Sequence, residues 1–235
     1  MDFFTPFRIA GQLIWSLNPE LIGIVSLSMS VSLVAVTISL VIGLPMGALL
    51  ASCRFPGRSI VLVVTNTFLA MPPVVIGLLV YILISRSGPF GFMGILYTPV
   101  AMMIAQTILV LPISIALSRQ VLENLHGEYA PLFSSLGIGV FRQALTLMRD
   151  ARIALVTIGL ACFGRAISEV GAVMIVGGNI RHSTRVMTTA IGLETSKGEL
   201  ATAMALGIVL LGIALAVNIL IQLLRQHLAK GSDYV

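Results

Sequence analysis

The sequence predicts an all-α integral membrane protein with five transmembrane helices and one long polar connection on the cytoplasmic side. Composition is the first reason: of 235 residues, 57% are hydrophobic and 10% charged, against about 45–50% apolar and about 25% charged in a soluble domain. Fourteen basic and nine acidic residues are too few to clothe a globule in water. The second reason is the length of the uncharged stretches, which suit crossings of about 20 residues through a hydrocarbon core of about 30 Å. The third is that the remaining charges gather between those stretches. Five such crossings use most of the chain and leave no room for a separate soluble domain.

The elements follow in order. Residues 1–20 place Phe3, Phe4, Phe7 and Trp15 ahead of the first apolar run, which reads as an external interfacial segment. They lack the cationic start of a cleaved signal. Residues 21–230 then form a single transmembrane domain. Leu21 to Cys53 carries no charge and is too short for two crossings, so 21–53 is span one. The next uncharged run, 60–85, is span two and holds Met71-Pro72-Pro73 near its middle. A Gly/Pro-rich turn, SGPFGFMG followed by Pro99, puts span three at 100–117. Residues 119–152 interleave charged and apolar positions, and spans four and five follow at 153–176 and 200–224.

Sidedness comes from the basic residues. Arg54, Arg58, Arg119, Arg142, Arg149, Arg152, Arg225 and Lys230 fall on one side, and Arg8, Arg86, Arg181, Arg185 and Lys197 on the other. The richer side is cytoplasmic, which predicts an external N-terminus and a cytoplasmic C-terminus.

Several chemistries are missing. Neither Lys197 nor Lys230 follows the glycine pattern of a phosphate-binding loop. His126, His182 and His227 lie in separate segments with no nucleophile or carboxylate cluster, so no catalytic residues are expected. Cys53 and Cys162 offer neither a disulfide framework nor metal spacing. The scattered basic residues, with no aromatic platform, do not suit nucleic acid; the partner they imply is membrane lipid.

The informative pair is Arg165 and Glu169 in GRAISEVGA. At i, i+4 they share a helix face, and ionised groups at membrane depth pair or face a water-filled cavity. Two readings are open, a functional site and a salt bridge locking span four to a neighbour. Small residues from Gly159 to Ala172 around the pair, Ser168 among them, suit close packing or a narrow conduit. Beyond them, GGNIRHSTRVMTT offers Asn179, Arg181, Thr184 and Arg185 as donors with positive charge, which suits a doubly negative, oxygen-rich anion near a pore mouth. The alternative there is an ordinary polar loop. Pro45, Pro72, Pro73 and Pro112 mark helix breaks or hinges inside the spans. Within 119–152, Gly137 and Gly139 separate two amphipathic pieces, read as two short helices that dock on a soluble partner or as a loop packed on the bundle.

Together these residues resemble the membrane permease subunit of an ABC importer of the molybdate, tungstate and sulfate group. The resemblance runs through RFPG at 54–57, MPPVVIGLLV at 71–80, the glycine-centred cytoplasmic loop and GRAISEVGAVMIVGGNIR at 164–181. The last stretch is most similar to the tungstate branch, with molybdate close behind. The resemblance implies a type I importer permease whose coupling loop, usually E-A-A-x-x-x-G, ends at Gly137. Here Glu128-Tyr129-Ala130 stands nine residues before that glycine, Pro131 occupies the six-residue position, and the later Leu-Pro is Leu147-Met148. Glu128, Ala130, Gly137, Gly139 and Arg142 are the coupling residues it suggests.

The same resemblance implies the partners: a second copy of the chain, ABC ATPase subunits that bind ATP, and an extracytoplasmic oxyanion-binding protein. The chain itself needs no cofactor. Import then proceeds by alternating access in the cell (inner) membrane, with Arg165, Ser168, Glu169, Asn179, Arg181, Thr184 and Arg185 as pathway residues. The competing expectation is a stand-alone ion-coupled transporter or channel that uses Arg165 and Glu169.

Overall fold

A 34-residue helix, α2 (Pro19–Ser52), and a 37-residue helix, α5 (Pro99–Ser135), form the axis of the molecule in a computed structural model that describes residues 5–232. They cross along a seam of small residues. A Cβ at Gly43 would lie 1.9 Å from the Ser114 hydroxyl, and one at Gly47 would lie 2.0 Å from that of Ser118. The serines use that closeness: Ser114 is placed to donate to the Ser39 carbonyl at 3.0 Å, and the Ser118 hydroxyl, which donates to the Ser114 carbonyl at 2.6 Å, also lies 3.4 Å from the Gly43 carbonyl. Backbones that approach this closely pack well where lipid offers no hydrophobic drive for association.

Ahead of α2 lies α1 (Thr5–Trp15), which buries Ala10, leaves Trp15 91% exposed and packs on the last helix. Phe3 and Phe4 lie outside the described residues, as do the side chains of Arg225 and Lys230. Asn18 caps α2, its side chain accepting from the Glu20 amide at 2.9 Å.

Residues 60–85 are not one straight span. Helices α3 (Arg58–Ala70) and α4 (Pro73–Ile84) meet at 104°. A residue before proline is pushed into the extended region, and with tandem prolines this happens twice: Met71 and Pro72 have ψ 130° and 133°. A lone proline does less. Pro45 and Pro112 sit inside the continuous helices α2 and α5, so the expected hinge at Pro112 is a buried helical residue packed in the bundle.

Helix α5 also runs well past residue 117. The first part of the expected 119–152 loop is its last turns, stabilised by the Arg119–Glu123 pair at i, i+4. The connection proper is the turn at Gly137 (φ 62°), followed by α6 (Val140–Asp150). Leu122, Phe133, Leu147 and Leu155 bury this end of the bundle.

Span four is likewise broken. Helices α7 (Arg152–Ile167) and α8 (Gly171–Gly177) are bent by 59°. The polar segment that follows is not all loop: it contains α9 (Met187–Lys197), whose first turn is buried. The Met187 amide donates to the Ser28 hydroxyl at 2.8 Å, well inside α2. The last helix, α10, covers Leu200–Ser232. Among the described residues, three helices are long and apolar enough to cross a membrane, and five crossings result if each bent pair counts as one.

Candidate functional site

Ion pairs among the described residues fall into three groups. Two lie at opposite ends of the bundle and one between them. At the first end, Glu123 of α5 engages both Arg119 and Arg58, and Arg58 Nε also donates to the Leu50 carbonyl at 3.0 Å. At the other end, Arg181 makes two hydrogen bonds to Glu20, Nε to Oε1 at 2.9 Å and Nη2 to Oε2 at 2.8 Å. Those bonds hold the Glu20 carboxyl below its ordinary range. Arg185, with 12% of its side chain exposed, lies 3.8 Å from Glu20 and 3.9 Å from Glu194, which also pairs with Lys197. These residues surround a mixed-charge cavity of about 310 Å³.

The intermediate group is Arg165 and Glu169, joined at 2.7 Å. Arg165 stands 13 residues along α7 from Arg152, about 20 Å at 1.5 Å per residue. The pair is therefore far from the charged end of its own helix. The expectation of one shared helix face needs correction, because Glu169 sits in the break between α7 and α8. Three interactions organise that break. The Glu169 carboxylate accepts from the Ala172 amide at 3.2 Å, capping α8. Its main-chain carbonyl accepts from the Thr188 hydroxyl at 2.7 Å. Three residues back, Gln106 of α5 donates to the Ala166 carbonyl at 3.1 Å.

Glycines bring the two helix breaks together. A Cβ at Gly77 of α4 would lie 2.7 Å from the Ala172 Cα, and one at Gly171 would lie 2.7 Å from a Val74 methyl. The Pro72-Pro73 elbow thus lies against the Ser168–Gly171 break. Ser168 is exposed and donates to the Arg165 carbonyl at 3.0 Å. Arg165 keeps 41% of its side chain exposed while Glu169 keeps 4%. The guanidinium fork is bonded to Glu169 through one nitrogen, and a planar fork with further N–H donors is suited to an oxyanion.

Asn179, Arg181, Thr184 and Arg185 divide into two sets. Asn179 (φ 51°) and Thr184 work within the loop itself. Asn179 Oδ1 accepts from the Thr189 hydroxyl at 2.9 Å, and the buried Thr184 hydroxyl donates to the Gly177 carbonyl and accepts from the Ile180 amide at 3.0 Å. Arg181 and Arg185 instead face the cavity at the Glu20 end. Sequence reasoning overlooked Glu20, Glu194, Gln106 and Thr188 as their partners and those of the break. Gln106, an isolated carboxamide in an apolar run, is the signal that could have been used.

At the Glu123 end, exposed Glu128 and half-buried Ala130 lie on the last turns of α5, and exposed Gly137, Gly139 and Arg142 lie on the turn and the start of α6. Tyr129 donates to Asp150 at 2.9 Å, which fixes α6 against α5, and Gln143 donates to the Ile138 carbonyl at 2.7 Å, which fixes α6 on the turn. Leu132, Leu136, Phe141 and Leu145 are left exposed beside the turn.

Comparison with known proteins agrees with this architecture. The family described as binding-protein-dependent transport system inner membrane component matches residues 43–230. The tungstate uptake system permease protein of Peptoclostridium acidaminophilum is 40% identical over 221 residues, covering 94% of this chain and 97% of that one. A probable anion ABC transporter permease protein of Haloferax volcanii is 42% identical over 205 residues, covering 85% and 88%. The molybdenum transport system permease protein of Escherichia coli is 29% identical over 218 residues, covering 88% and 93%. Permeases of this kind work with a binding protein and with ATPase subunits that are separate chains, and are not themselves enzymes. With four-fifths of its length inside the family match, the chain belongs to the binding-protein-dependent transport system inner membrane components.

Proposed function

We propose that this chain is the membrane-spanning subunit of an ATP-driven tungstate importer, with molybdate the next substrate in preference. The 40% identity to a tungstate permease over almost the full length of both chains carries the choice of substrate. The intramembrane guanidinium, anchored on buried Glu169, supplies the chemistry for a tetrahedral oxyanion. Arg165, Ser168 and Glu169 form the centre of the pathway. Arg181 and Arg185 stand at its external mouth, and Asn179 and Thr184 shape the loop that presents them.

Residues 1–20 form the external interfacial segment and residues 21–230 the permease domain. The N-terminus is external and the C-terminus cytoplasmic, an orientation supported by the excess of arginine at the Glu123 end. Glu128, Ala130, Gly137, Gly139 and Arg142 make the ATPase contact, a role supported by the exposed apolar side chains beside the turn. Pro72 and Pro73 form the hinge next to the central site.

Two copies build the pathway. Supporting this, α3 exposes Asn66 among Val63, Val64 and Ala70. Hydrocarbon cannot satisfy a carboxamide, so this face meets protein or water rather than lipid. ATP binds on the ATPase subunits, and their closure biases a bundle with two broken helices between its two accessible states.

Purification in mild detergent tests the assembly. An ATPase subunit at one-to-one stoichiometry with this chain, in a particle holding two of each, is the expected result. Purified chain that alone catalyses tungstate flux down an ion gradient would instead establish an ion-coupled transporter.

A further inference from the structure

A groove of about 420 Å³ opens between α5 and α7 on the Glu123 side of the central pair. Gln120 and Asn124 line it from α5 and Thr157 and Ala161 from α7, with Leu117 and Ile158 supplying its apolar floor. Apart from Ala161, one of the small residues near the central pair, none of these residues stands out in the sequence by charge or motif. The two carboxamides stand one helical turn apart and have no hydrogen-bond partner among the described residues. Thr157 donates to the Ile153 carbonyl at 3.1 Å, and its hydroxyl oxygen remains on the groove wall.

Helical periodicity connects this groove to the central site. On α7, Ala154, Thr157, Ala161 and Arg165 follow at three- and four-residue steps and so share one face. On α5, Gln106, Val110, Leu117 and Asn124 follow at steps of four, seven and seven residues and likewise share one face. The upper ends of these two stripes meet, because Gln106, Val110, Arg165 and Glu169 close around one small gap. The lower ends are the groove. Ala154 and Arg165 are 11 residues apart, about 17 Å along α7. One seam therefore runs from Arg165 to the Glu123 end of the bundle.

The chemistry of the seam changes along its length. Its head carries a cation and its lower part carries only neutral polar groups. Glu123, the acidic neighbour of Asn124 in sequence, is turned to Arg58 and Arg119. Gln120 and Asn124 are both exposed beside the Arg119–Glu123 pair, so their carboxamides are accessible from the Glu123 end of the bundle. A tetrahedral oxyanion leaving Arg165 needs donors that hold it weakly enough to let it go, which neutral amide groups provide and a second cation would not.

The geometry points to this α5–α7 groove as the inner leg of the oxyanion pathway, with the Gln120 and Asn124 carboxamides as neutral relay donors between Arg165 and the cytoplasm and Thr157, whose proton is held by the Ile153 carbonyl, as part of its wall. The assignment rests on the oxyanion-importer reading above and adds to it residues that reading does not use.

The test uses the complete complex of permease, ATPase and binding protein in proteoliposomes, with radiolabelled tungstate as the probe. Asn124→Asp and Gln120→Glu each place a negative charge on the route and are expected to slow uptake by about tenfold or more. Asn124→Ser keeps a small neutral donor and is expected to remain within about threefold of the parent. Arg165→Gln is assayed in parallel. Normal uptake by both acidic variants together with lost uptake by Arg165→Gln overturns the groove assignment alone. Normal uptake by all three overturns the importer reading of Arg165 itself. Equal loss in Asn124→Asp and Asn124→Ser marks a structural position and also overturns the assignment.

A second measurement does not depend on uptake. With Cys53 and Cys162 replaced by alanine, Asn124→Cys in the assembled complex is expected to react with a negatively charged, water-soluble thiol reagent. Failure to react, as a covering of lipid or of a second copy would produce, overturns the assignment.

Discussion

Arg165 and Glu169 are joined at 2.7 Å, yet the Glu169 side chain is buried and the Arg165 side chain is two-fifths exposed. The two ends of this bond therefore do different work. Glu169 belongs to the scaffold, capping α8 and receiving the Thr188 hydroxyl. Arg165 is the group that faces outward.

Exchanging each partner should separate these roles. Glu169→Ala removes the cap and strands Arg165, and is expected to lower stability by about 2–4 kcal/mol, short of the full value for a deeply buried pair. Arg165→Gln is expected to stop tungstate uptake while the complex with the ATPase still purifies. Thermal unfolding and uptake measured on the same preparations distinguish them; a Glu169→Ala protein as stable as the parent contradicts the scaffold role.

The α2–α5 seam predicts a steep steric response. Gly43→Val drives a side chain into Ser114 and Ile115 and should cost about 3 kcal/mol or prevent insertion of a folded bundle. Ser114→Ala leaves the volume unchanged and removes one interhelical hydrogen bond, for about 0.6 kcal/mol. Detergent-resistant folding, followed by temperature, checks the ratio of the two effects.

The clamp between Glu20 and Arg181 predicts a pH response. The Glu20 carboxyl is lowered in the folded state, so its contribution is fully present above the unfolded-state value and disappears as pH falls through the lowered one. Stability attributable to this pair is therefore flat from neutral to mildly acidic pH and is lost only in strong acid. Because both groups are substantially exposed, Glu20→Gln should cost under about 1 kcal/mol, less at high salt. A large loss at neutral pH would contradict the placement of this pair at the solvent-facing end.

The turn at Gly137 has φ 62°, a region costly for branched side chains. Gly137→Val should misplace α6 relative to α5 and lower recovery of the ATPase with the permease by about tenfold, leaving the permease in the membrane. Undiminished recovery would remove Gly137 from the ATPase contact.

Much of this architecture can be read from residues alone. Uncharged runs locate α2 and α10, and the tandem Pro72-Pro73 locates the elbow, because both rest on local rules. The break at Ser168–Val170 cannot be read that way. Its sequence permits a continuous helix, and it is the Glu169 cap, the Thr188 hydroxyl and the press of Val74 on Gly171 that interrupt it. Pro112 shows the reverse case, a local helix breaker accommodated within the continuous, packed helix α5. Helix α9 was hidden because its first turn, Met187-Thr188-Thr189-Ala190, is buried through contacts with α2 and the α7–α8 break, not through its own periodicity. Spacing brought Arg165 and Glu169 together in sequence; their unequal burial required the fold.

The most direct measurement is tungstate uptake into proteoliposomes holding the permease and its ATPase, with the binding protein outside and ATP inside. Uptake that requires ATP, stops with a hydrolysis-dead ATPase and stops with Arg165→Gln is the predicted result. Uptake that persists with the hydrolysis-dead ATPase would contradict the account.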